Sequence, residues 1–211
     1  ERPLATGQIK PMEALMVAVV LILASFVLVV QLSPLTIKLS VVAVIIAAIY
    51  PFTKRFFAVP QAVLGLAFGF GIPMAFAAHT NQVPQAAWIL LAANVFWAIA
   101  YDTEYAIVDR EDDRKIGIRT SAITFGRYDV AAVLGSQALF LLIMVWIGRL
   151  FRPGWMFYLG LAVAACLVAA QYRMIRDRDP AGCFRAFRHN NWIGAAIFTG
   201  IFASFYFQKH I

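Results

Sequence analysis

The chain has 211 residues, 62% of them hydrophobic and only 14% charged, with a mean hydropathy of +0.77. Soluble domains carry about a quarter charged residues, so a water-soluble globule is excluded: too few polar side chains are available to coat it. The net charge of +7 is spread over short segments between apolar runs, which speaks against nucleic acid and for orientation in a lipid bilayer.

The first stretch, "ERPLATGQIK", has no Met, no signal-peptide pattern and no cleavage site, and reads like the middle of a longer protein. Apolar runs close to the roughly 20 residues that cross about 30 Å of hydrocarbon then predict membrane helices. There are seven, at about 12–31, 35–50, 60–78, 86–106, 130–147, 155–172 and 192–207. Pro34, Pro51, Pro84 and Pro153 punctuate the gaps. The expected architecture is an all-α polytopic membrane protein, one domain over 1–211.

The connections carry the charge. With the N-terminal stretch inside, fourteen lysines and arginines lie on the inner side: Arg2 and Lys10, Lys54 and Arg55, the run from Arg110 to Arg127, and that from Arg173 to Arg188. Only Lys38, Arg149, Arg152 and Lys209 lie outside, and all eleven acidic residues are on or near the inner side. Any chemistry belongs at that end. Cys166 lies in an apolar run and Cys183 in a basic loop, with no metal spacing between them. His79, His189 and His210 have no partners at ligand or triad spacing. Asn190 and Asn191 fall at the inner start of the last helix, where capping is the expected role.

Six of the eleven acidic residues sit in "YDTEYAIVDREDD", residues 101–113. On a helix continued from 86 to 113, Asp102, Asp109 and Asp113 project within about 40° of one another. Asp109 and Asp113 are an i,i+4 pair, neighbours on the surface. Like charges gathered on one face call for a cation, and carboxylate oxygens suit Mg²⁺. The competing reading is a solvated acidic loop neutralised by Arg110, Arg114 and Lys115. Asp102 and Glu104 favour the first, because ionisable groups in an apolar helix are costly. The segment "IGIRTSAITFGRYD" has a glycine break and a helix restart that let the chain turn back over the inner mouth of the bundle.

The loop "YPFTKRFFAVPQ", residues 50–61, offers Lys54 and Arg55 among aromatic residues. Membrane anchoring and a diphosphate clamp both explain two adjacent cations, and spacing leaves both open. Carboxylates for Mg²⁺, cations for phosphate and an apolar bundle between them suit a substrate with a diphosphate head and a hydrocarbon tail.

Together "YPFTKR", "PQAVLGLAFGFGIPMAFAA", "WAIAYDTEYAIVDREDDRKIGIRTSAITFG" and "CFRAFRHNNWIG" closely resemble the UbiA superfamily of intramembrane prenyltransferases, and within it the branch acting on 4-hydroxybenzoate in ubiquinone synthesis. The resemblance covers essentially the whole chain. It implies a nine-helix bundle with a laterally open central cavity, set in the bacterial inner membrane with a polar site at the cytoplasmic end. It further implies Mg²⁺ and two substrates, a polyprenyl diphosphate and 4-hydroxybenzoate; protein partners are not implied.

Residue by residue, Asp109 and Asp113 match the spaced aspartates of the second aspartate-rich motif, catalytic and metal-binding. Asp102 matches an aspartate preceding it. Tyr50 and Lys54 match a substrate-binding tyrosine–lysine pair, and Arg55 a neighbouring basic position. The first aspartate-rich motif, which in the family precedes an "RPL" element, is absent here. The chain is thus expected to be the last seven of nine helices.

The resemblance also leaves other acceptors in view: homogentisate, naphthoate or haem. Phe68, Phe70, Phe76 and Phe96 are candidates to stabilise an allylic cation, with packing as the alternative. Gly65, Gly69 and Gly71 are expected to allow close helix approach. A transporter-like cation-binding protein would place charge nearer the midplane and show internal repeats, and neither is seen.

Overall fold

The structure, a computed structural model, describes residues 3, 4 and 6–208. Arg2 and Lys209 of the charge tally, and His210, lie outside the described residues. The described residues are helical, with no strand.

The first helix, α1 (Pro11–Val29), starts at a proline and is tied by the Glu13 carboxylate, which accepts from the Lys10 N–H at 2.8 Å. It buries none of its side chains. The second, α2 (Pro34–Thr53), is capped by Ser33, whose hydroxyl accepts from Thr36 N–H at 3.2 Å and donates to the Ala77 carbonyl at 2.8 Å.

One apolar span over Pro60–Thr80 is split into α3 (Pro60–Gly69) and α4 (Gly71–Thr80). Pro73 causes the break, because it lacks the N–H that would bond the Gly69 carbonyl. The glycines of this span divide in role. A Cβ on Gly65 would lie 2.7 Å from the Val95 Cα, and one on Gly69 2.6 Å from the Asn94 amide nitrogen, so both admit α5 closely. Gly71 faces open space and supports no close approach.

The central element is α5 (Gln85–Val108), which packs against α3, α8 and α10. It stops at Asp109 (φ −85°, ψ 0°) and a short α6 (Arg110–Lys115) follows, so the expected continuous helix to 113 is interrupted by one residue. A turn at Gly117, α7 (Ser121–Phe125) and a 3₁₀ turn lead into α8 (Asp129–Phe151), followed by α9 (Trp155–Ile175) and α10 (Pro180–Gln208).

Among the described residues, six segments are long and apolar enough to cross a membrane. The expected seventh, 192–207, is the distal part of α10, which begins twelve residues earlier than hydropathy suggested. Cys183 is therefore not in a loop: it is fully buried on α10. Asn190 is likewise no cap but a buried residue within that helix.

Two apolar clusters hold the bundle. One, near the charged end, joins Ala106, Ile107, Val133, Ile175 and Ala186. The other, deeper, joins Ala93, Phe140, Phe157, Leu161 and Ile193. Buried amides stitch the helices across the apolar region. Gln137 of α8 donates to Gln171 of α9, whose amide donates to the Ala186 carbonyl of α10 at 3.0 Å.

Candidate functional site

The charged ends of α2, α3 and α5 meet, and the chain segment after α6 closes over them. Arg119 N–H donates to the Lys54 carbonyl at 2.7 Å, and its guanidinium to the Phe56 carbonyl at 3.0 Å. The Thr124 hydroxyl donates to the Ala58 carbonyl. Ser121 N–H donates to Gln61 Oε1 at 3.0 Å, and the Ser121 and Thr103 hydroxyls pair at 2.6 Å. The returning strip expected from "IGIRTSAITFG" is thus sewn to the 54–61 loop, and it fixes the backbone that carries Lys54.

Inside this frame Asp102 of α5 is the hub. Its carboxylate interacts with the Gln61 side chain and lies within electrostatic reach of Lys54, Asp109, Asp113, Tyr50 and Tyr101. Tyr50, Lys54, Asp102, Asp109 and Asp113, which the sequence scatters over more than sixty positions, therefore share one locale. Arg55, next in sequence to Lys54, is exposed and makes no ion pair among the described residues. Gln61 was not foreseen. It is 1% exposed, and a buried amide beside an aspartate has no signature in sequence.

The cations of α6 have other partners. Arg114 pairs with Glu111 at 3.1 Å and Lys115 with Asp112 at 2.9 Å, a contact that raises the Lys115 pKa through its hydrogen bond and charge. Arg110 bonds Asp129, which is fully buried at the start of α8 and is also held by Arg178 Nε at 2.9 and 3.1 Å. Arg178 in turn donates to the Arg127 carbonyl at 2.7 Å and adopts a left-handed backbone (φ +56°) to do so. Of the three cations that the solvated-loop reading names, Arg114 and Lys115 do pair with acids of that loop, Glu111 and Asp112, whereas Arg110 is drawn to Asp129.

Glu104 leaves the cluster altogether. It is fully buried on the other side of α5, where its Oε2 accepts from the Asn190 amide at 2.7 Å, and Asn190 accepts from the Trp97 indole at 3.1 Å. Glu104 Oε1 has no hydrogen-bond partner.

The donor set bears on a metal. No group of three or more acidic, histidine or cysteine side chains among the described residues forms a ready-made metal cage. Two carboxylates four residues apart fit a hard divalent ion that keeps waters and takes phosphate oxygens, as Mg²⁺ does. Asp109 and Asp113 fit that role.

An aromatic series not anticipated from sequence leads away from the cluster. Tyr105 meets Phe187 with centroids 5.1 Å apart, Tyr101 meets Phe187 at 6.1 Å and Trp97 at 6.1 Å, and Trp97 stacks on Phe140 at 5.4 Å. Trp97 and Phe140 line an apolar cavity of about 260 Å³ with Ile72, Met144 and Ile197. Of the nominated phenylalanines, Phe70 is buried against Trp88, Phe96 packs on the deeper apolar cluster, and Phe68 is 74% exposed.

The sequence model of the UbiA prenyltransferase family matches residues 1–194. A 4-hydroxybenzoate octaprenyltransferase of Methylobacillus flagellatus is 58% identical over 211 residues, 100% of this chain and 71% of that protein. One of the same name from Cupriavidus necator is 60% identical over 200 residues, 95% of this chain and 70% of that protein. Among solved structures, a UbiA homologue from Aeropyrum pernix superposes with a TM-score of 0.84 at 23% identity, covering 96% of this chain and 76% of its own. A digeranylgeranylglyceryl phosphate synthase superposes at 0.69 and 15% identity, over 97% of this chain and 73% of its own. At those identities the structural likeness speaks for the fold alone.

Proposed function

The chain belongs to the UbiA prenyltransferase family, and from that premise we propose that it transfers a polyprenyl group from a polyprenyl diphosphate to the ring carbon ortho to the hydroxyl of 4-hydroxybenzoate. The observation that carries this reading is the meeting of Tyr50, Lys54, Asp102, Asp109 and Asp113 in one place, next to an aromatic path into an apolar cavity. The relatives' shared name supports 4-hydroxybenzoate over other acceptors and an eight-unit donor. The excess of lysine and arginine at the charged end supports placing it on the cytoplasmic side of the inner membrane.

The chemistry begins with heterolysis of the allylic C1–O bond, whose electron pair leaves with the diphosphate. Lys54 is set to draw the diphosphate in and to offset the charge that grows on it as the bond lengthens. Asp109 and Asp113 would hold Mg²⁺, which when bound supplies Lewis-acid neutralisation of the same phosphate oxygens. Asp102, anchored by Gln61, orients Lys54 and Tyr50 around the leaving group. The aromatic face of Tyr101 suits the allylic cation, and the apolar surroundings exclude the water that would capture it. The ortho carbon of the acceptor then forms the new C–C bond, and loss of its proton restores aromaticity.

The direct test is transfer by the purified protein in bilayer discs, with octaprenyl diphosphate, labelled 4-hydroxybenzoate and Mg²⁺. The expected product is the 3-prenylated acid, lost on chelation and restored by Mg²⁺. Prenylation of homogentisate or naphthoate in preference to 4-hydroxybenzoate would reassign the acceptor.

A further inference from the structure

We propose that the α9–α10 pair binds one anionic phospholipid from the leaflet at its charged end, with Arg185, Arg188 and His189 taking the lipid phosphate. The observation is a pair of cavities that share Trp192 and Ala195. One is a cup of about 640 Å³ at the charged end, lined by Met174, Arg185, Arg188, His189 and Asn191 beside the two shared residues. The other is an apolar furrow of about 590 Å³ running onward between the helices.

The cup is built for an anion. It holds two guanidinium groups and no carboxylate. Neither Arg185 nor Arg188 forms an ion pair among the described residues, in contrast to Arg110, Arg114 and Arg178. His189 lines the same cup beside the two guanidiniums, with no acidic side chain among the lining residues. Trp192, 66% exposed, stands where cup and furrow join, the level at which tryptophan marks a membrane interface.

The furrow is built for one acyl chain. Its floor is the closest crossing of α9 and α10, where a Cβ on Gly200 would lie 2.9 Å from the Met156 carbonyl and 3.0 Å from the Gly160 Cα. Leu159, Val163, Thr199 and Ala203 form walls with almost no polar surface. From Trp192 to Ala203 the furrow runs about 17 Å at 1.5 Å per residue, close to half of the roughly 30 Å hydrocarbon layer. That length fits a chain from one leaflet.

The furrow does not belong to the transfer site. Asn190, Gly194 and Ile197 turn toward α5, whereas Ala195, Thr199 and Ala203 lie on the opposite face of α10. An eight-unit prenyl chain is also much longer than the furrow.

The test is native mass spectrometry of the protein released from discs of phosphatidylcholine and phosphatidylglycerol in equal amounts. One phosphatidylglycerol is expected to stay bound in preference to phosphatidylcholine. Replacing both arginines (R185A with R188A) is expected to weaken its retention roughly thirtyfold, since each surface cation near an anionic lipid contributes about fivefold. The charge-keeping pair R185K with R188K retains it. Thr199→Trp, which fills the furrow and spares the cup, releases it. Equal retention of the two lipids, unaltered retention in the double alanine variant, or displacement by farnesyl diphosphate would each overturn the proposal. Because the readout is bound lipid and not turnover, those outcomes leave the transferase reading where it stands.

Discussion

Asp102 and Glu104 stand two residues apart on α5, in a stretch that hydropathy alone assigns to the membrane. About 200° of helical rotation separates them, and that rotation decides their chemistry. Asp102 turns to the side where α2, α3 and α6 deliver a lysine, a tyrosine, an amide and two more carboxylates. Glu104 turns to α10, where one asparagine meets it and the rest is apolar packing. The cluster around Asp102 has mixed charge, the makings of a site for a charged ligand. The pair around Glu104 is closed and sealed between helices. A carboxylate inside a membrane helix is thus no pointer to catalysis until its face is known.

The sharpest way to break this comparison is on the open side. Asp109→Ala or Asp113→Ala is expected to abolish prenyl transfer, a loss of roughly 10³-fold or more for removing a group that stabilises leaving-group charge. Direct titration with Mn²⁺, followed by its paramagnetic signal in the presence of donor, should show weakened binding in the same variants. Turnover near the parent level in either would take that aspartate out of the site.

The next largest effect is expected in the frame. Asp129 is fully buried between Arg110 and Arg178, so Asp129→Ala leaves two guanidiniums without their shared partner. Removing the buried partner of two part-exposed guanidiniums costs about 1–3 kcal/mol, and the cost should appear as a lowered thermal midpoint. Since Arg110 follows Asp109 directly, transfer should fall with it even at temperatures where the protein stays folded. An unchanged midpoint would mean that the ion triad contributes nothing to holding α6 against α8.

A smaller effect belongs to Lys54. Lys54→Ala is expected to raise the KM for polyprenyl diphosphate about tenfold, the weight of one charge-assisted contact, and to leave the KM for 4-hydroxybenzoate near its parent value. Equal changes in both, with less folded protein recovered, would return Lys54 to the role of a membrane anchor.

Most of the membrane spans were legible in the sequence because lipid imposes apolar runs of fixed length. The first third of α10 was not. Gly182, Arg185 and Arg188 look like a loop, and the helix there rests on Cys183, Ala186 and Asn190 packing against α5 and α9, a tertiary cause. The acidic half of the site was legible because seven- and four-residue spacings place side chains on one helical face. Gln61, Asp129 and the aromatic series were not, because each acquires its role from a partner 19 to 93 positions away. Gly71 shows the converse: its local pattern equals that of Gly65 and Gly69, and only the position of the neighbouring helix tells them apart.

The smallest expected effect tests the closed side. Glu104→Gln replaces the acid with an amide of the same shape, and the Gln oxygen can still accept from Asn190. Oε1, which lacks a partner, becomes an amide that gains or loses one weak contact. Transfer should then stay within roughly twofold of the parent. Asp102→Asn, the same chemical change two residues away, removes a charge that faces Lys54 and should cost tenfold or more in transfer. Measured side by side, the two isosteric variants differ only in which face of α5 they touch. A large loss of transfer in Glu104→Gln with the fold intact would show that the buried carboxylate reaches the reaction after all, and the division of α5 into a working face and a packing face would fail.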